Sequence, residues 1–336
     1  MTMVSLKDIA AACGVSASTV SKALNDLDDI SEKRKAMIRQ KANEMGYLPN
    51  MAARALKTKM THNIGVLFID DYHSGLTHPY FAPVLESLKT EVENLGYDIT
   101  FINKNVGGRE MSYLEHCRYR NVDGVVIAKE EVVELVESNI PVVTIDHVFN
   151  NCPAVVSDNI KGVRELTEYV ISMGHKKIAY IHGQQNSVTK VRLASFYRTM
   201  EEHGLSVPDE YVPEAPYLEG EASSEATKKL LALKNPPTCI LYPDDYTAIG
   251  GIAVIREAGL SIPSDISVAG YDGISLIQQF QPKLTTYAQD MSGIGKAAAQ
   301  AIVDQIERPK SALVEMIVKA GVVMPGASVR CLNENE

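Results

Sequence analysis

Four aspartates stand where an α/β protein puts its chemistry. Asp146 follows the run Val142-Val143-Thr144-Ile145, Asp244 and Asp245 follow Cys239-Ile240-Leu241-Tyr242, and Asp272 follows Ser267-Val268-Ala269-Gly270-Tyr271. Ligands of open parallel sheets bind just beyond the carboxyl ends of the strands, so polar residues there are the first candidates for contact. Any of the four could instead cap the next helix, and Asp245, which starts the run 246–258, fits that role best. Asp272 is the strongest candidate because Gly273 leaves its loop open. Arg192 opens a helix whose apolar face takes Leu193, Phe196 and Tyr197. Its guanidinium could be solvated, which is the usual fate of an arginine.

Catalytic motifs are missing. Gly293-Ile294-Gly295-Lys296-Ala297 resembles a phosphate loop, but Asp290 stands at its first glycine and Ala297 at the metal-binding hydroxyl. There is no G-x-S-x-G or H-E-x-x-H stretch, and the eight histidines are scattered. Five cysteines, at 13, 117, 152, 239 and 331, are odd in number and free of any C-x-x-C pair, which argues against a disulfide framework or a zinc site. No enzyme activity, cofactor or metal is expected.

The elements that would position these residues alternate along the chain. Strands are predicted at 63–69, 99–102, 124–128 and 142–146, with a helix at 79–95 whose Val84, Leu88, Val92 and Leu95 share one face. The pattern restarts after Asp158 with a helix carrying Val163, Leu166, Val170 and Met173, strands at 178–182, 239–242 and 267–271, and helices near 192–203, 222–233 and 245–258. Two doubly wound parallel α/β lobes follow. With 336 residues and 45% hydrophobic content the chain has room for both lobes and a small head. It shows neither a long uninterrupted apolar window nor a secretory leader, so a cytoplasmic protein without membrane contact is expected.

That head lies at the start. Ser5-Leu6-Lys7-Asp8 is a capping box, so a helix should begin near Leu6 and bury Leu6, Ile9, Ala10 and Cys13 until Gly14 reverses the chain. Ser16 caps a second helix with Val20, Ala23 and Leu24 inward and Ala17, Ser18, Ser21 and Lys22 outward. Such a helix-turn-helix presents small and polar groups to base edges in the major groove. Ser31 should cap a third helix with Ile38, Ala42 and Met45 inward and Lys33, Lys35, Arg39 and Lys41 on its exposed sides. Residues 1–60 hold ten Lys and Arg against six Asp and Glu, in a chain of net charge −9, so a basic head sits on an acidic body. Asn50 then caps 51–57, a segment of helix formers too short to be stable alone. Two copies in a widened minor groove, each inserting Leu56 between base steps, would stabilise it; a plain linker helix is the alternative.

The string Leu6-Lys7-Asp8-Ile9-Ala10, then Gly14-Val15-Ser16, Thr19-Val20-Ser21, Leu24-Asn25 and Gly46-Tyr47-x-Pro49-Asn50-x-x-Ala53-Arg54-x-Leu56 resembles the lactose-repressor/galactose-repressor (LacI/GalR) family of bacterial transcription regulators. The likeness runs through the head and, more loosely, through nearly the whole chain. It implies a helix-turn-helix head at 1–49, a hinge helix and linker at 50–61, and an effector-binding and dimerisation domain at 62–336. The last resembles a periplasmic sugar-binding protein, with lobe 1 at about 62–157 and 289–319 and lobe 2 at about 158–288 and 320–336. The chain would cross near 157, 288 and 320, and the late elements, the strands around 285–288 and 314–318 included, would complete the first lobe. Positions matching Ala17, Ser18 and Lys22 usually read bases, and the last is usually arginine; lysine cannot form that planar fork to guanine. The candidate DNA contacts are Ser5, Leu6, Ser16, Ala17, Ser18, Thr19, Ser21, Lys22, Asn25, Tyr47, Asn50, Ala53, Arg54, Leu56 and Lys57.

For the effector, the resemblance pairs Arg192 with Asp272 on ligand hydroxyls and sets Tyr80, Phe81 and Tyr217 where aromatic rings stack. Asp146 and Asp244 complete the candidate set; the family's sugar binders often have Asn at the latter position. The absence of Trp removes the best sugar-stacking side chain. The expected protein is a homodimeric repressor on a pseudo-palindromic operator, controlled by a small molecule, a sugar or sugar derivative, bound between the lobes. No leucine-rich heptad tail follows Val329-Arg330-Cys331, so a dimer rather than a tetramer is expected. The alternatives are a cytosolic solute-binding module and a regulator whose co-effector is a phosphoprotein.

Overall fold

The structure, a computed structural model, describes residues 4–48, 55, 60–69, 74–128 and 132–332. The chain divides into two compact units, Met1–Thr61 and His62–Glu336.

In the first unit, α1 (Leu6–Cys13) starts at Ser5, with the Ser5 N–H donating to Asp8 Oδ2 at 2.8 Å and the Asp8 N–H donating to Ser5 Oγ at 3.4 Å. Gly14, at φ 64, ends it in the left-handed conformation that a side chain would disfavour. In α2 (Ala17–Leu24) the Thr19 N–H donates to Ser16 Oγ at 3.1 Å. Ser16→Ala should cost this cap about 1 kcal/mol. Hydrogen exchange on the full chain should show roughly fivefold faster opening at α2 and no change in residues 62–332.

The third helix, α3 (Glu32–Glu44), has Ser31 at its N-cap position, but Ser31 makes no side-chain cap bond. Lys35 corrects a second expectation, because it is buried rather than exposed. Its apolar stem is enclosed while Nζ reaches Asp26 at 3.0 Å and Glu32 at 2.7 Å, which also raise its pKa. Arg39 joins Asp26 at 2.8 Å, so this cationic face is neutralised from within. Ile9, Val20, Ala23, Ile38 and Ala42 form the core, with Leu6, Cys13, Leu24, Met45 and Tyr47 packed around it.

The second unit holds two large sheets. The first is built from β1 (Asn63–Phe68), β2 (Asp98–Phe101), β5 (Gly124–Ala128), β6 (Val142–Ile145), β7 (Ala154–Ser157) and β12 (Met316–Lys319), all parallel, in the order β12-β7-β6-β5-β1-β2. A small hairpin of β3 (Asn105–Val106) and β4 (Arg109–Glu110) stands apart from it. The second large sheet takes β8 (Ile178–Tyr180), β9 (Cys239–Leu241), β10 (Ser267–Asp272) and β11 (Thr285–Ala288) in parallel and β13 (Val322–Met324) antiparallel at the edge, in the order β13-β11-β10-β9-β8. The expectation that β11 completes the first lobe is corrected here. The strand pairs with β10 from Ala269↔Thr285 to Asp272↔Ala288, and Tyr287 packs on Tyr271 at 5.1 Å between ring centres. A run of buried Thr285, Thr286 and Tyr287 belongs in the interior of the second sheet, between two other strands.

The helices of this unit are α4 (Phe81–Asn94), α5 (Tyr113–Arg120), α6 (Val133–Val136), α7 (Asn159–Ser172), α8 (Ser187–Glu202), α9 (Gly220–Leu231), α10 (Asp245–Glu257) and α11 (Met291–Glu307). Three crossings join the lobes: β7 to α7, β11 to α11, and β12 to β13. The stretch that resembles a phosphate loop has a packing role. Asp290 caps α11 by accepting the Gly293 N–H at 2.8 Å. A Cβ on Gly295 would lie 2.3 Å from the Val84 carbonyl oxygen of α4, so only glycine lets the two helices meet. The cysteines are free thiols, and no described helix is long and apolar enough to cross a membrane.

His175 ties the end of the chain to lobe 2. It is fully buried, with Nδ1 2.9 Å from Thr238 Oγ1 and Nε2 3.2 Å from the Arg330 carbonyl oxygen. Burial lowers its pKa, so the folded state holds it neutral. A depressed folded pKa means stability present above the unfolded value and lost as pH falls through the folded one. The melting temperature should therefore decline below about pH 6.5, and His175→Gln should flatten that decline in a thermal melt series.

Candidate functional site

The candidate residues sit at strand ends and at the starts of the helices that follow them. On lobe 1, the Tyr80 hydroxyl at the start of α4 donates to Asp146 Oδ2 at 2.9 Å, and the Ser157 N–H donates to Asp146 Oδ1 at 3.3 Å. Asp146 itself sits at φ 61, a left-handed turn that lifts its carboxylate off the end of β6. Phe81 packs in an aromatic cluster, with ring centres 4.9 Å from Phe68, 5.0 Å from His78 and 4.9 Å from Tyr80.

On lobe 2, α8 begins at Asn186, which accepts the Thr189 N–H at 2.8 Å and so fixes the turn that carries Arg192. Arg192 is 5% exposed, far from a solvated arginine. Its Nε donates to Asn159 Oδ1 at 2.7 Å and its Nη1 to the Pro243 carbonyl at 2.9 Å, while the guanidinium lies 3.9 Å from the Tyr271 ring centre. Tyr217 approaches the same guanidinium at 5.7 Å, its hydroxyl 2.9 Å from Thr189 Oγ1. Its ring lies over Gly183, where a Cβ would come within 2.1 Å.

Asp272 ends β10 at φ 102, and one of its oxygens accepts Gln289 Nε2 at 2.6 Å. Sequence reasoning misses Gln289, although it follows the end of β11 just as the aspartates follow their strands. Its Oε1 is buried with no partner among the described residues. The helix cap falls to Asp244 rather than to Asp245. Asp244 is the cap of α10, accepting the Thr247 N–H at 2.7 Å and the Leu218 N–H at 3.1 Å. Asp245 turns inward, its Oδ2 accepting the Gly273 and Ile274 N–H groups at 2.7 and 2.9 Å and its Oδ1 the Thr286 hydroxyl at 2.6 Å. It therefore braces the loop that follows Asp272.

Burial raises the pKa of Asp146, Asp244 and Asp272, and for Asp272 the nearby Asp244 and Asp245 add to it while Arg192 opposes. Asp146 lines a pocket with residues from both lobes, among them Asn159, the partner of Arg192, and Val191.

On the head, Ser5, Ser16, Ser18 and Asn25 are exposed, and Leu6, Ala17, Thr19, Ser21, Lys22 and Tyr47 half-buried. Several are already engaged: Ser5 in its capping box, Ser16 with Thr19 at 2.8 Å, and Asn25 with the Ser21 carbonyl at 2.7 Å. Lys22 is ion-paired to Asp29, a pair with which any contact to a base would compete. Asn50, Ala53, Arg54, Leu56 and Lys57, with the expected hinge helix, lie outside the described residues.

Residues 5–50 match the family model "Bacterial regulatory proteins, lacI family", and residues 167–329 match the periplasmic binding protein-like domain. The HTH-type transcriptional repressor PurR of Pectobacterium atrosepticum is 31% identical over 315 residues, covering 90% of this chain and 91% of its own. The "Probable HTH-type transcriptional repressor ExuR" of Bacillus subtilis is 29% identical over 339 residues, covering 98% and 99%. Among solved structures, the lac repressor dimer bound to operator and the anti-inducer ONPF shares the fold with a TM-score of 0.79 at 22% identity, covering 98% of this chain and 100% of that one. The transcriptional regulator CelR–cellobiose complex gives 0.69 at 22% identity, covering 97% and 99%.

Proposed function

Because this chain belongs to the LacI family of bacterial regulatory proteins, as a DNA-binding transcriptional repressor with an effector-binding domain, we propose that it acts as a homodimer on a pseudo-palindromic operator and answers to a sugar-like effector held between its lobes. The observation that carries the effector reading is the set of buried polar groups at the strand ends: Arg192, held by Asn159 and the Pro243 carbonyl, and Asp272, held by Gln289, on lobe 2, and the Tyr80–Asp146 pair on lobe 1. A ligand that bonds to both sides favours one relative position of the lobes, and that differential affinity is the whole source of its control. Solved neighbours that carry cellobiose or ribose support the sugar class.

The dimer contact we assign to the face of lobe 1 formed by α4 and the edge strand β2. Leu76 and Phe101 are 59% and 45% exposed there, around a shallow cavity of about 520 Å³ that Leu85 and Lys89 also line. An edge strand with exposed apolar side chains is a surface that a second copy would cover. The lac repressor neighbour is itself described as a dimer on operator.

Each head would then sit in a major-groove half-site, with residues 50–57 of the two chains side by side in the minor groove between them. The experiment is selection of duplexes from a random pool, followed by titration at rising salt. For each phosphate contacted, log K should fall by about 0.9 per tenfold increase in salt, and a flat salt response contradicts the reading. Leu56→Ala should weaken binding to the selected duplex on the order of tenfold or more through loss of the inserted wedge. The same variant should leave the ligand-induced thermal shift unchanged; equal loss of both removes the division of labour between head and cleft.

A further inference from the structure

We propose that Asp29 is a positioning residue that sets base-pair choice: it tethers Lys22, so that this lysine serves the selection of a base pair rather than general attraction to the DNA backbone. The inference rests on the reading of α2 as the helix that lies in the major groove.

Ser18, Ser21, Lys22 and Asn25 recur at i, i+3, i+4 and i+7 and so share the outward side of α2. Lys22 is the only charged residue between Ser16 and Asn25. The turn that follows brings Asp29 back to it. The Leu27 N–H donates to the Lys22 carbonyl at 3.1 Å and the Asp26 N–H to the Ala23 carbonyl at 3.4 Å, with Asp26 in the left-handed conformation at φ 58. These two bonds close a helix C-terminus in a pattern that usually takes glycine at the left-handed position. Here the aspartate is held by its side chain, which meets Lys35 Nζ at 3.0 Å and Arg39 Nη2 at 2.8 Å, and Lys35 is itself buried. The turn is therefore anchored to α3, and the Lys22–Asp29 pair stands on a fixed backbone. Its side chains are 44% and 52% exposed, open to a ligand as large as a duplex. The hydrogen bond from Lys22 holds the Asp29 carboxyl below its ordinary range, so it is ionised at neutral pH.

An ammonium offers three donors, of which Asp29 takes one. To reach a phosphate by itself, Lys22 must leave the carboxylate, which then faces a polyanion alone. A base pair that shows an acceptor beside an amino group meets both partners at once. G·C does so in the major groove: guanine O6 and N7 accept from the ammonium, and cytosine N4 donates to the carboxylate. The pair thus weakens binding to DNA in general and weakens it least at the base pair that suits it, and that difference is specificity. An exposed ion pair adds little to folding, so its effect belongs in recognition.

The test is selection of duplexes from a random pool by the full chain, for the parent, Lys22→Ala, Asp29→Asn and Asp28→Asn. Each protein is then titrated on the parent's selected duplex, its single-base-pair variants and a scrambled duplex. The base pair at which Lys22→Ala loses its preference marks the lysine's contact. In Asp29→Asn that preference should shrink at least about fivefold, while the scrambled duplex binds several-fold more tightly. Asp28→Asn removes the same charge from the same turn and leaves the Lys22–Asp29 pair in place, so it should tighten binding to all duplexes alike and keep the preference. Both Asn variants should melt close to the parent, since Asp28 and Asp29 are exposed. A preference kept in Asp29→Asn, or lost equally in Asp28→Asn, overturns the inference while the reading of α2 stands. Full preference at every base pair in Lys22→Ala also overturns it, because the tethered lysine then reads nothing. A parent that selects no duplex overturns the reading of α2 and the inference with it.

Discussion

Arg192→Ala should abolish measurable effector binding, with a loss of at least about a hundredfold in affinity. A charged donor contributes about 1.5–3 kcal/mol per hydrogen bond, and the guanidinium also packs over the Tyr271 ring and near that of Tyr217. The change should also lower stability by about 2 kcal/mol or more, because it strands Asn159 Oδ1 and the Pro243 carbonyl, each unsatisfied group costing about 1–3 kcal/mol. Arg192→Lys separates the two effects. A lysine keeps a charged donor but not both directed bonds to Asn159 and the Pro243 carbonyl, so it should recover part of the stability and little of the affinity. Calorimetric titration with a sugar that raises the melting temperature of the parent protein, beside melts of the three proteins, reads both. Undiminished binding by Arg192→Ala removes this residue from the site.

The second large effect belongs to a residue that touches no ligand. Asp245→Ala strands two backbone N–H groups, of half-buried Gly273 and buried Ile274, and the buried Thr286 hydroxyl. Each unsatisfied group costs about 1–3 kcal/mol, so a loss of about 3 kcal/mol or more is expected, with weaker effector binding because the loop after Asp272 is no longer braced. Asp245→Asn should behave differently. Its carbonyl can accept both N–H groups, and its amide can donate to the Thr286 hydroxyl after that group rotates. Burial pushes the Asp245 carboxyl up to about 7 from an ordinary value of 3.8. A raised folded pKa in an acid means stability that is fullest below the unfolded value and declines as pH rises through the folded one. Asp245→Asn should accordingly stay within about 1 kcal/mol of the parent at neutral pH and lose that part of the pH slope. Equal melting temperatures for the Ala and Asn variants at neutral pH contradict the bracing role.

Much of the site is legible in the sequence because strand ends announce themselves locally. A β-branched run that stops at an aspartate is visible in a handful of residues, and Asp146, Asp244 and Asp272 stand out that way. The caps at Ser5 and Ser16 are equally local. What escapes depends on distant partners. Whether Asp244 or Asp245 caps α10 is decided by a one-residue difference in where the helix begins, below the resolution of pattern reading. Lys35 has the sequence context of a surface lysine, and only the return of Asp26 across the head lets its stem be enclosed. β11 is short, with its place in the second sheet fixed by pairing with β10 rather than by its own composition. Missing that place also hides Gln289, whose position at a strand end is plain once the strand is assigned. The glycine at 295 suggests phosphate chemistry in one dimension and proves to be a helix contact in three.

Reversible control of DNA binding from the cleft is the central claim, and one titration addresses it. Affinity for the selected duplex should be measured at fixed salt with and without a saturating amount of the sugar that raises the melting temperature. Linkage requires a change in one direction or the other, typically about five- to a hundredfold, and Arg192→Ala should erase it. An operator affinity that stays the same while the cleft is demonstrably filled would contradict the account.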